Sequence, residues 1–138
     1  MLTQISVKMT DKPGILAEFT KILNENKIQI RSITVSQVPG LVLFLVNKPN
    51  DMVSLLKKKN YEFSTESVLP VLLPDNPTSS ELIQKVAQVL GENKININFL
   101  YSSFIEKGPM LILLTSDNNK AINALKAKKI YIYEKGDS

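Results

Sequence analysis

The sequence predicts an α+β fold built of two similar units, each reading strand, helix, strand, strand, helix, strand. Three observations carry that prediction. The string Glu25-Asn26-Lys27-Ile28-Gln29-Ile30 returns as Glu92-Asn93-Lys94-Ile95-Asn96-Ile97, an offset of 67 residues from Glu25 to Glu92. At the same offset, Ile15, Leu16, Phe19, Ile22 and Leu23 map onto Leu82, Ile83, Val86, Val89 and Leu90, the spacing of one face of an amphipathic helix. Each half then carries a turn dipeptide, Pro39-Gly40 or Gly108-Pro109, ahead of a continuous apolar run.

In the first unit, residues 3–9 alternate apolar and polar, with Ile5, Val7 and Met9 set against Gln4, Ser6 and Lys8. That is the pattern of a half-buried strand. Pro13-Gly14 opens a helix running to about Asn26. Strands follow near 29–37 and 41–47, then a helix over about 50–59 and a last strand from Tyr61. The second unit has its first strand at 68–73, where Pro70 marks an edge or a bulge. A helix starts near 78–80, strands follow near 97–105 and 109–115, then a helix near 118–128 and a strand near 129–134. The domains are set at 1–66 and 67–138. Lys57-Lys58-Lys59 and Lys126 with Lys128-Lys129 fall at helix ends, where cations suit the negative end of the macrodipole.

Two right-handed βαβ crossovers with a hairpin between them give a ferredoxin-like sandwich. Each copy is then a four-stranded antiparallel sheet with two helices on one face, and the two sheets pack side by side. The runs Leu41 to Val46 and Met110 to Leu114 are apolar on both sides, so both faces need cover. A second chain is the simplest source of that cover, and small units without a staple point the same way. A homodimer or larger homo-oligomer is expected.

Composition narrows the function. The 138 residues are 43% hydrophobic and 22% charged, a globular balance. Neither cysteine nor histidine is present. Disulfides, thiol nucleophiles and thiolate zinc sites are excluded, and the commonest general base near neutral pH is missing. No catalytic residue, metal site or cofactor is expected. Glycines stand only at 14, 40, 91, 108 and 136, so no glycine-rich phosphate loop is available. Net charge is +4, and Arg31 is the only arginine, which disfavours nucleic acid. No basic stretch and apolar core of a secretory signal open the sequence, and no apolar run approaches the length of a membrane span. A cytoplasmic protein without membrane contact is expected.

The string Asp11-Lys12-Pro13-Gly14-Ile15-Leu16, between a first strand and a helix, resembles the D-x-P-G-x-L signature of ACT domains. Residues 24–30 resemble the helix end and second strand of the same modules. The resemblance covers nearly the whole chain, in two copies, and implies a regulatory module that binds a free amino acid. A regulated metabolic enzyme is the partner it implies. In such modules the ligand sits between two units, near this loop and the facing second strand.

The local chemistry agrees with that implication. A helix N-terminus presents unpaired N–H groups and partial positive charge. A carboxylate would dock on the amides around Gly14, Ile15 and Leu16, and glycine opens the backbone to it. Pro13 suits a first helical turn. Asp11 would accept from the ligand's ammonium, or would instead cap the helix. By the resemblance Thr34 and Ser36, or Ser102 and Ser103, add polar contacts; the alternative is that they are ordinary strand residues. Asp75 and Asn76 lead the corresponding loop of the second copy, which lacks the glycine. There Thr78, Ser79 or Ser80 would cap the helix. Two rival readings remain: an interaction module without a ligand, and an RNA-binding module of the same topology.

Overall fold

The computed structural model describes residues 1–73, 78–105 and 108–134. Its elements are β1 (Leu2–Lys8), α1 (Ile15–Glu25), β2 (Ile30–Val35), β3 (Leu41–Val46), α2 (Pro49–Lys58), β4 (Glu62–Leu72), α3 (Ser79–Glu92), β5 (Ile97–Ile105), β6 (Gly108–Thr115) and α4 (Asn118–Ala127). The chain forms two compact units. One is Thr3–Glu66; the other is Ser67–Ser138 with Met1–Leu2.

In the unit of residues 3–66 the strands lie in the order β2-β3-β1-β4. β1 pairs antiparallel with β3, Ile5 opposite Phe44 and Val7 opposite Val42. Those four side chains face α1 and α2 and are buried with Phe19, Leu23, Met52 and Leu56. Phe19 anchors this core through ring contacts with Phe44 at 5.3 Å and Tyr61 at 5.2 Å.

The unit of residues 67–138 repeats the plan with strand order β4-β6-β5. Leu69 stands opposite Leu113 and Val71 opposite Leu111. They are buried with Val86, Leu90, Ala121 and Leu125. Even the irregularities recur. A register shift falls between Ile30 and Ser32 on β2 and between Ile97 and Phe99 on β5. Each hairpin is also closed by a two-bond bracket. Gln29 donates its N–H to Asn47 Oδ1 at 2.8 Å, and Asn47 returns its own to the Gln29 carbonyl at 3.1 Å. Asn96 and Ser116 do the same at 2.9 and 3.0 Å.

Two expectations are corrected. The last strand of one copy and the first of the next form a single strand, β4, because nothing between Tyr61 and Leu73 breaks the extended chain. The strand expected near 129–134 is reduced to one bridge, Val71 to Ile132. It is flanked by bonds from Leu72 N–H to the Tyr131 carbonyl and from Tyr133 N–H to the Pro70 carbonyl, both 2.9 Å. Pro70 has no N–H to offer a fuller ladder on that side, and it sits in register opposite Ile112 rather than in a bulge.

The four helices of the described residues end alike. Lys27, Asn60, Lys94 and Lys129 each adopt a left-handed backbone, φ +57° to +60°. The next residue in each case (Ile28, Tyr61, Ile95, Ile130) donates its N–H back to Leu23, Leu56, Leu90 or Leu125 at 2.9–3.1 Å. This is the Schellman arrangement, in which the chain reverses while the last carbonyls stay satisfied. No described helix is long and apolar enough to cross a membrane.

Candidate functional site

The Asp11–Leu16 loop is built by the exit of β1. Met9 donates to the Gly40 carbonyl at 2.6 Å, tying β1 to the β2–β3 turn. The chain then turns through Lys12 N–H to the Thr10 carbonyl at 3.0 Å and Ile15 N–H to the Lys12 carbonyl at 3.3 Å. Residues 11–14 are exposed. Gly14 is the N-cap of α1, left-handed at φ +85°, and no side chain caps the helix. Its carbonyl accepts from Glu18 at 3.1 Å. The amides of Leu16 and Ala17 make no hydrogen bond among the described residues. A Cβ added at Gly14 would meet nothing within 4 Å, so the space beside these amides is open.

This geometry corrects two readings. Asp11 does not cap α1: glycine occupies the cap, and the Asp11 carboxylate is exposed without a partner among the described residues. Pro13 does not lie in the first helical turn; α1 starts at Ile15, and Pro13 belongs to the turn before it. A left-handed glycine swings the chain, which moves both residues off the helix axis.

The other candidates divide. Thr34 is half-buried on β2, in register opposite Leu43. Ser36 lies just past β2 and is taken up by the turn: its Oγ accepts from Val38 N–H at 3.1 Å and its N–H donates to the Leu41 carbonyl at 2.9 Å. Ser102 is exposed on β5 opposite Leu111. Its neighbour Ser103 is buried, and its Oγ makes no hydrogen bond. Asp75 and Asn76 lie outside the described residues. In that half, Thr78 is the N-cap of α3 and its Oγ1 accepts from Glu81 N–H at 3.3 Å. The two helix N-termini therefore differ in one respect: a side chain caps α3, and none caps α1.

Elsewhere the charged groups are mostly exposed. The Glu134 carboxyl is held below its ordinary value, first by the hydrogen bond from Lys126 and then by its charge. Burial raises the Tyr101 phenol above its ordinary value. Among the described residues no group of three or more His, Cys, Asp or Glu could hold a metal ion.

Comparison with known proteins places this geometry in a family. None of the curated proteins matches the chain. Among solved structures, a Bacteroides thetaiotaomicron protein superposes with a TM-score of 0.83 at 23% identity, covering 96% of this chain and 91% of that one. The ligand-free regulatory subunit of aspartate kinase from Thermus thermophilus gives 0.59 at 20% identity, covering 93% and 91%. The corresponding subunit from Thermus flavus gives 0.55 at 19%, covering 92% and 93%. These likenesses establish the shared fold. A family model described as an ACT domain pair matches residues 1–137, and the chain therefore belongs to the ACT domain pair family.

Proposed function

We propose that this chain is an amino-acid-binding regulatory protein, with the ligand carboxylate on the open N-terminus of α1 and its ammonium toward Asp11. One observation carries the reading. α1 is capped by a left-handed glycine with free space beside it and no side chain on its amides, while Thr78 caps α3. A helix N-terminus of that kind favours a carboxylate. Asp11, relieved of any capping duty, keeps its charge for a cation. Thr34, on the second strand of the same unit, is the polar side chain available to complete the site. Ser36 is already committed to its turn.

The family and the relatives support the regulatory side. Two of the structures above are regulatory subunits of aspartate kinase, so the partner we propose is an enzyme of amino-acid metabolism, with no catalysis by this chain. We also propose a homo-oligomer. β2 is an edge strand whose Ile33 and Val35 are 41% and 66% exposed, and an apolar edge of that kind is a template for pairing.

The experiment is a thermal-shift screen against the twenty amino acids at millimolar concentration, followed by calorimetry on the amino acid that raises Tm. Asp11→Asn should weaken its binding by about tenfold, roughly 1.4 kcal/mol. If no amino acid raises Tm, the chain is an interaction module, a reading that the 77% exposed Phe104 then favours. If one binds and Asp11→Asn leaves its affinity unchanged, the ammonium role of Asp11 is wrong.

A further inference from the structure

We infer that the unit of residues 3–66 carries a second, separate site for a small zwitterion, in the concavity lined by Ser6, Lys8, Leu41, Glu62, Phe63 and Ser64. The concavity measures about 160 Å³. Pockets for drug-sized ligands run from roughly 300 Å³ upward, so this one suits a metabolite of a few heavy atoms.

Its lining is chemically paired. Lys8 closes β1, Glu62 opens β4, and the two strands are neighbours in the sheet. An ammonium and a carboxylate thus line one hollow. Neither makes a hydrogen bond or ion pair among the described residues. The hydroxyls of Ser6 and Ser64 are two further polar groups of the lining, and Leu41 adds an apolar one. A molecule carrying one carboxylate and one ammonium satisfies both charges at once, the first on Lys8 and the second on Glu62. An ion of a single sign would leave one of them unmatched.

The other unit supplies an internal control. The pair Ile5–Phe44 corresponds to Leu69–Leu113, so Ser6, Lys8 and Leu41 correspond to Pro70, Leu72 and Met110. The bond from Tyr61 to Leu56 corresponds to that from Ile130 to Leu125, so Glu62, Phe63 and Ser64 correspond to Tyr131, Ile132 and Tyr133. The same architecture is thus built in the second unit with no charge at any of the six positions. The fold does not demand Lys8 or Glu62 there. Their joint presence sets this unit apart from the other and gives its hollow one group of each sign.

The test uses the full ¹⁵N-labelled chain titrated with L-alanine, with propionate and with ethylamine, followed by amide chemical shifts. L-Alanine should give saturable shifts at residues 6–8, 41 and 62–64, and the two half-molecules should bind at least about tenfold more weakly. Lys8→Gln and Glu62→Gln should each weaken L-alanine about tenfold without lowering Tm, and the exchange Lys8→Glu with Glu62→Lys should restore binding. The inference fails if L-alanine gives no saturable shift at these residues, if propionate or ethylamine matches it, or if both glutamine variants bind like wild type. Shifts confined to residues 14–17 would also overturn it while leaving the α1 site standing.

Discussion

Gly14 and Gly40 have nearly the same backbone, φ +85° and +81°, for different reasons. A Cβ at Gly14 would meet open space, while one at Gly40 would run into the Met9 carbonyl. Both alanine variants pay left-handed strain of about 1–2 kcal/mol. Gly40→Ala must also push the β2–β3 turn off β1, which adds roughly 1–3 kcal/mol. Urea unfolding should therefore rank Gly40→Ala clearly below Gly14→Ala; equal values would mean that the Met9 contact yields freely. Capping gives a second contrast. Thr78→Ala should cost about 0.5–2 kcal/mol, and Asp11→Ala should leave stability unchanged, because Asp11 caps nothing. In the sequence alone Asp11 looked as good a cap as Thr78. The difference lies in the backbone: the left-handed turn at Gly14 takes the cap position three residues downstream of Asp11.

At the scale of the element, the helix ends are the most regular feature. Three of the four left-handed positions are lysines, at 27, 94 and 129, and the fourth is Asn60. A left-handed lysine is strained, and asparagine tolerates the conformation better. Lys94→Gly should stabilise the chain by about 0.5–1 kcal/mol, the relieved strain less the extra freedom glycine has when unfolded. Asn60→Gly should change it by less. Thermal denaturation of the two variants checks the ranking, and a loss of stability in Lys94→Gly would show that its charge at the helix C-terminus outweighs the strain. The repeated Glu-Asn-Lys-Ile string made these ends visible: it marks where the helix stops, and the isoleucine is the residue whose N–H closes the motif in both copies. The last strand was less legible. Residues 129–134 alternate as a strand does, but the ladder beside Pro70 lacks a donor, and one bridge is what remains.

For the molecule as a whole, the absence of histidine leaves no side chain that ordinarily titrates between about pH 5 and 8. Tm should be nearly flat over that range, so ligand-induced shifts can be read without correction. Alkali is different. Burial raises the folded-state pKa of Tyr101 above the unfolded value of 10.0. The stability linked to that group is complete below pH 10 and is lost as pH rises beyond it, because the unfolded chain releases the proton first. Tyr101→Phe should flatten the decline of stability above about pH 10 relative to wild type. An unchanged slope would show that Tyr101 does not carry the decline.

The sequence by itself determined the fold class, the internal duplication, the helix faces and the position of the open loop. All of these follow from local periodicity and turn chemistry, which a single chain segment carries within itself. Only the tertiary structure decided what the loop residues do. Whether Asp11 caps or stands exposed depends on the φ of Gly14; whether Ser36 is available depends on its bond to Val38. The concavity between Lys8 and Glu62 joins residues on strands 54 positions apart, and in the linear pattern each reads as one more polar residue on a half-buried strand. Pairing within the sheet is a long-range contact, and no local pattern records which opposite charges it brings together.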